Sequence, residues 1–222
     1  MVVAIDGPAG VGKSSVAQAI AHKRGFLFLN SGNFYRALTW KAISGGVPLE
    51  NEEALSELAR GMDLAFTDGR LLIDGVCRDE ELHTDQVDEW VARHSAIVPV
   101  RHEINRRLRE IAAKHDVVME GRDIGTVVFP DAEVKVYLDA LPEVRARRRF
   151  LQGTSGLSEA QIAESLKDRD SIDTSKKEGK LRLAPGAVYL DTSGLTLIEV
   201  CERVLILISQ TSKKTVSWSP CR

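Results

Sequence analysis

In the run IDGPAGVGKSS, glycines at positions 7, 10 and 12 are followed at once by Lys13, Ser14 and Ser15. One kind of chemistry suits that spacing. Residues with little or no side chain let successive backbone N–H groups close around a polyphosphate. The positive end of a following helix faces the same anion, and a lysine reaches its outer oxygens. The segment Gly7-Pro8-Ala9-Gly10-Val11-Gly12-Lys13-Ser14 satisfies G-x-x-x-x-G-K-[ST] in full. Ser14, with Ser15 as the neighbouring candidate, offers a hydroxyl to Mg²⁺. A glycine-rich turn that binds nothing would leave the strand-like and helix-like patterns on its two flanks as coincidence.

A phosphate cradle alone implies only a nucleoside triphosphate. Guanine-nucleotide switching is disfavoured, because no N-K-x-D occurs and the one D-x-x-G, Asp191 to Gly194, comes too near the end of the chain for a switch region. A second anion is suggested by three stretches in which arginines accompany carboxylates or hydroxyls after apolar runs or helix starts: NSGNFYR, EGRDIGT and DRDSID. Loops that follow parallel strands converge on one crevice, so these stretches are expected to meet the glycine loop. Positive charge also clusters in RHEINRRLR, VRARRR and KKEGKLR, although the formal net charge is only -2. With an isoelectric point near 6.2, a sequence-independent nucleic-acid binder is not expected, and local clusters fit a small anionic ligand better. For Arg147 a solvated helix face is the plain reading.

The elements that must hold these residues are legible as short apolar runs, VVAI, FLFL, VVM, VKVYL and AVYL, alternating with helical patterns. Such alternation reads as a buried parallel sheet with crossover helices. Val16, Ala17, Ile20 and Ala21 form one face of the first helix, which is expected to stop at Gly25. DLAFTDGRLLIDG breaks the alternation with a hairpin signal around Asp68-Gly69. Thr84 is an expected N-cap, Pro99 and Pro142 expected helix openers, and Thr196 to Glu199 a capping box for a closing helix through about Ile208. The rest of the chain, to Arg222, is expected to be a loose tail. No run approaches the roughly 18 apolar residues of a membrane span, and the N-terminus reads as a strand, not a secretory signal. A cytoplasmic location without membrane partners is expected. Cys77, Cys201 and Cys221 match neither a disulfide framework nor a zinc site.

Taken together, GPAGVGKSS, LNSGNFYRAL, the hairpin insert, Val100-Arg101, EGRDIGTVVFPDA and RDSID resemble the bacterial cytidylate kinases, over roughly residues 2 to 208. The resemblance implies an α/β, P-loop NTPase-type three-layer fold with a central parallel sheet. One domain, 1–208, would carry an inserted NMP-binding lobe at about 33–98 and a short lid at about 145–182, with a flexible tail at 209–222. It implies in-line transfer of the ATP γ-phosphoryl group to CMP or dCMP, with Mg²⁺ and no general base, by a monomer. Gly7, Pro8, Ala9, Gly10, Val11, Gly12, Lys13, Ser14 and Ser15 would hold ATP, and Ser14 the metal. Lys13, Arg122 and Arg169 would be catalytic. Arg36 and Arg122 would hold the acceptor phosphate beside Ser31, Arg101 and Asp123 would read cytosine, and Arg169 and Asp173 would reach the sugar and the phosphate centre. A carboxylate at 123 suits the N4 amino group of cytosine and opposes the carbonyl of uracil. Three positions depart from the family pattern: Asn30 for Asp, His83 for Arg, and Lys176 for a second arginine after Asp173. A lysine lacks the two-pronged contact of a guanidinium, so either Lys176 serves or Lys177, Lys180 or Arg182 takes over. His83 is expected to be a surface or hairpin-packing residue. Another small acceptor (UMP, AMP or shikimate), a regulatory ATPase, or an RNA-binding module are the competing readings.

Overall fold

The computed structural model describes residues 1–67, 69–153 and 156–216, the last five by backbone alone. Five parallel strands form the central sheet in the order β2-β6-β1-β7-β8. They are β1 (Val2–Asp6), β2 (Leu27–Asn30), β6 (Val117–Gly121), β7 (Val134–Asp139) and β8 (Val188–Asp191), one for each apolar run. Strand β1 sits at the centre, with Val3 opposite Val118 on one side and Val134 on the other.

The pleat of β1 divides the molecule into layers. Ala4 packs into one core with Leu29, Met119, Phe34, Leu38 and Leu108, whereas Val3 and Ile5 pack into another with Val136, Ile20 and Val204. The first core lies under α2 (Ser31–Ser44) and α5 (Val98–Ala112), the second under α1 (Lys13–Arg24) and α8 (Leu197–Val216). Both faces of the sheet are therefore covered at its centre, which is why β1 and β6 read as unbroken apolar runs.

Between α2 and α5 the chain leaves the sheet to form α3 (Glu52–Gly61), the strands β3 (Leu64–Thr67), β4 (Arg70–Ile73) and β5 (Val76–Cys77), a 3₁₀ turn (Glu81–His83) and α4 (Asp85–His94). The expected hairpin is present, with Thr67 paired to Arg70; Asp68 lies outside the described residues. A third strand, β5, adds to it. Two residues are too few to carry an alternation, so this strand left no sequence signal. After β7 come α6 (Pro142–Leu151) and α7 (Glu159–Ser175).

The punctuation signals act as their chemistry requires. Gly25 ends α1 at φ 67°, the Thr84 side chain accepts from the Val87 N–H, and Ser158 and Gln161 form a capping box on α7. Thr196 and Glu199 exchange both capping hydrogen bonds at α8. The expected end of α8 near Ile208 is corrected: the helix runs to Val216. Nothing from Ser209 to Val216 breaks a helix once it is nucleated, and extending it costs little, so polarity alone was a poor stop signal. The terminal SWSPCR, with Trp218 and Cys221, lies outside the described residues.

Candidate active site

The glycine loop joins β1 to α1 and needs its glycines. Gly7 has φ 152°, and a Cβ there would sit 2.1 Å from the Leu138 carbonyl oxygen. Gly12 caps α1 at φ 96° with no side-chain cap and no acidic residue in the first turn. The first N–H groups of α1 are thus left for an anion. Lys13 is buried, and its Nζ donates to the Pro8 carbonyl at 2.7 Å. Burial, and after it the Arg122 guanidinium, push this amine down to about 7; a phosphate beside it would restore the charge. Ser14 Oγ donates to Glu120 Oε1 at 2.5 Å.

The arginines expected from three separate stretches do converge. Lys13, Ser14, Ser31, Arg36, Arg101, Arg122, Asp123, Arg169, Asp173 and Lys176 all line one cavity, whose rim at the loop is Ala9 and Gly10. Gly7, Pro8, Val11, Gly12 and Ser15 do not line it. Val11, Gly12 and Ser15 instead face a second cleft, which shares Gly10 with the first and is closed by Arg148, Thr192 and Leu195. Of the two candidate hydroxyls, Ser14 is therefore the one on the cavity side.

At one end of the cavity Arg101 is almost fully buried. It donates to the Ser95 carbonyl at 2.9 Å and is ion-paired with Asp123, and it lies over the Tyr35 ring at 5.8 Å. Its Nε is a buried donor with no hydrogen-bond partner among the described residues. Burial pushes the Asp123 carboxyl up, and the Arg101 guanidinium offsets part of the rise. Asp123 also starts a single π turn (Ile124–Val128), its carbonyl accepting from Val127 N at 2.8 Å. Asp6, at the end of β1, accepts from the N–H groups of Ile124 and Gly125, each at 2.8 Å. Burial nevertheless raises its carboxyl to about 6. Asp6 thereby sets the backbone that presents Arg122 and Asp123.

In the middle, Asp173 accepts from Arg122 Nε at 2.7 Å and Lys176 Nζ at 2.6 Å. Burial alone would raise this carboxyl, but Arg122, Lys176 and Arg169 outweigh it and hold it well below the usual range. Lys176 Nζ also donates to Ser95 Oγ at 2.9 Å. Lys177, Lys180 and Arg182 are exposed and do not line the cavity. His83 stands largely exposed beside the cavity; partial desolvation of its ring, then Arg36, lower its pKa.

Asp173→Asn leaves Arg122 and Lys176 without their buried counter-charge, so we expect a stability loss of about 3–5 kcal/mol at neutral pH. The sign of its pH dependence follows from a carboxyl held down in the folded state. Its contribution is complete above the ordinary aspartate value and is lost as pH falls below it. Denaturant titrations across pH should show a constant deficit from pH 7 to about 4.5 that shrinks below about 3.8. A deficit unchanged by acid would contradict the assignment.

Comparison with known proteins shows which family the chain belongs to. The cytidylate kinase family model matches residues 3–210. The chain belongs to the cytidylate kinase family. It is 40% identical over 210 residues to the cytidylate kinase of Borrelia duttonii (strain Ly), covering 92% of this chain and 96% of that protein. It is 41% identical over 215 residues to that of Caldanaerobacter subterraneus subsp. tengcongensis, covering 95% and 96%. Among solved structures, a gluconokinase from Sinorhizobium meliloti 1021 superposes with a TM-score of 0.52 at 16% identity, over 96% of this chain and 94% of that one. That likeness concerns the fold alone.

Sequence reasoning missed several residues in and around this cavity. Glu120 and Ser95, which line it, were given no role of their own, nor were Asp6 and Asp88, which do not line it; Arg145, read only as part of the VRARRR cluster, donates to the Ala9 carbonyl at 3.0 Å and pairs with Asp170 at 2.5 Å. The signal for Glu120 was its place inside the EGRDIGT run, where no role of its own was assigned to it. For Asp88 there was none, since DQVDE reads as an ordinary acidic helix start.

Proposed function

We propose that the cavity carries out the family's reaction, ATP-dependent phosphorylation of CMP, with dCMP as a second acceptor. The observation that carries this reading is the buried Arg101–Asp123 pair, with the partnerless Arg101 Nε, in the same cavity as Lys13. Cytosine offers a donor to the carboxylate and acceptors to the guanidinium, whereas uracil would set a carbonyl oxygen against Asp123.

The acceptor phosphate then lies against Arg36 and Arg122, and the ATP phosphates in the glycine loop against Lys13. The nucleophile is a phosphate oxygen already ionised near neutral pH, so the work is positioning and charge neutralisation, without a general base. The Ser14 hydroxyl and Glu120 carboxylate fit Mg²⁺, an ion that takes most of its ligands from phosphates and water. When bound it would neutralise charge on the transferring group. The second cleft suits the donor base: Arg148 lines it and is fixed by bonds to Thr192 Oγ1 at 3.0 Å and Thr192 O at 2.6 Å, and a guanidinium held in place can stack on a planar ring.

The segment of about 145–182 is read as the lid and 33–98 as the acceptor lobe. Arg145 and Asp170 already brace Ala9 from the lid side, which supports closure directly over the phosphates and exclusion of water. Lys176 is the residue we assign in place of the missing family arginine. The enzyme is read as a monomer. No helix among the described residues is long and apolar enough to cross a membrane.

Two measurements check these roles. A coupled ADP-release assay over CMP, dCMP, UMP, AMP, GMP and shikimate should show CMP and dCMP well ahead; equal rates, or turnover independent of acceptor, would overturn the reading. Arg36→Ala should raise KM for CMP by about 10- to 100-fold, the worth of one charged hydrogen-bond contact, with KM for ATP little changed. An unaltered KM for CMP would remove Arg36 from the acceptor site.

A further inference from the structure

Asp88 lies in the first turns of α4 and is not among the residues lining the cavity, yet three guanidinium groups that do line it converge on its carboxylate. Arg36 comes from α2, Arg149 from α6 (3.1 Å) and Arg169 from α7 (3.2 Å). One carboxylate, 22% exposed, therefore stands behind the arginines and ties both lid helices to the acceptor lobe. Three positive charges against one negative leave an excess of two at this node, so a phosphate can enter without displacing Asp88. Without the carboxylate, three mutually repelling cations would have no common anchor until substrate arrived. His83 faces the same node and, as a histidine whose pKa burial and Arg36 lower, adds no fixed charge to it.

We propose that Asp88 is a positioning residue for phosphoryl transfer: from outside the cavity it latches α6 and α7 to α4 and holds Arg36, Arg149 and Arg169 aimed inward as a preassembled phosphate grip. The latch is additional to the cavity residues themselves and rests on reading that cavity as the transfer site.

The test compares Asp88→Asn and Asp88→Glu in the full chain. For Asp88→Asn, KM for CMP rises at least about tenfold, as expected when one partner of a desolvated charge cluster is removed. kcat falls with it, and KM for ATP stays within about twofold of the parent. Hydrogen exchange of α6 and α7 in the protein without nucleotide becomes faster. Asp88→Glu, which keeps the charge, recovers most of both effects. A parental KM for CMP, or parental exchange in α6 and α7, in Asp88→Asn overturns the proposal. Equal impairment in both variants with a lowered Tm also overturns it, since that marks a merely structural carboxylate. If the parent protein makes no CDP at all, the functional reading fails, and the exchange comparison still decides whether Asp88 is a latch.

Discussion

Lys13→Ala lowers kcat by about 10²–10³-fold while the fold survives, because one preorganised charge facing the transferring group is worth that much in a water-poor site. The structure makes the prediction sharp in two ways. Lys13 is buried, and among the described residues its hydrogen bond goes to the Pro8 carbonyl of its own loop. Its amine is also held down to about 7 by burial and by Arg122. Removing it takes away a desolvated cation, so Tm should stay level or rise. Stability and activity then move in opposite directions. A variant that is slow because it is unfolded, or one that turns over near the parental rate, would each contradict the role.

The second large effect concerns the base. Asp123→Asn keeps the shape of the carboxylate but removes its charge, and on the proposed reading the preference for CMP over UMP falls by at least about 100-fold from a ceiling near 10⁴. A cost in stability accompanies it, because Arg101 is buried and paired with this carboxylate; losing one member of such a pair costs about 3–5 kcal/mol. To separate the two, Arg101→Met combined with Asp123→Ala removes the stranded charge. The double variant should regain stability without regaining selectivity. Selectivity that survives in the double variant would move cytosine recognition elsewhere in the cavity.

How much of this was readable beforehand depends on the range of the interaction. The strands were legible as short apolar runs, most clearly β1 and β6, which are buried at the centre of the sheet. Gly25, Thr84 and Thr196 were legible because capping is settled within four residues. The glycine loop was legible because its spacing is its chemistry. Asp6 was hidden inside β1: its role is to hold N–H groups 118 and 119 residues away, and nothing local marks that. Asp88 was hidden for the same reason, its three partners coming from helices that meet only in the fold. Lys176 shows the boundary. The sequence left four basic residues open, and burial against Asp173 and Ser95 separates it from the other three.

The most direct test of the central claim follows the label from ATP carrying ³²P at its γ position, with product nucleotides separated by anion exchange. The account predicts label in the β-phosphate of CDP, dependent on CMP and lost in Lys13→Ala, with UMP a far poorer acceptor. Label released only as inorganic phosphate, or transferred equally well to UMP, would contradict it.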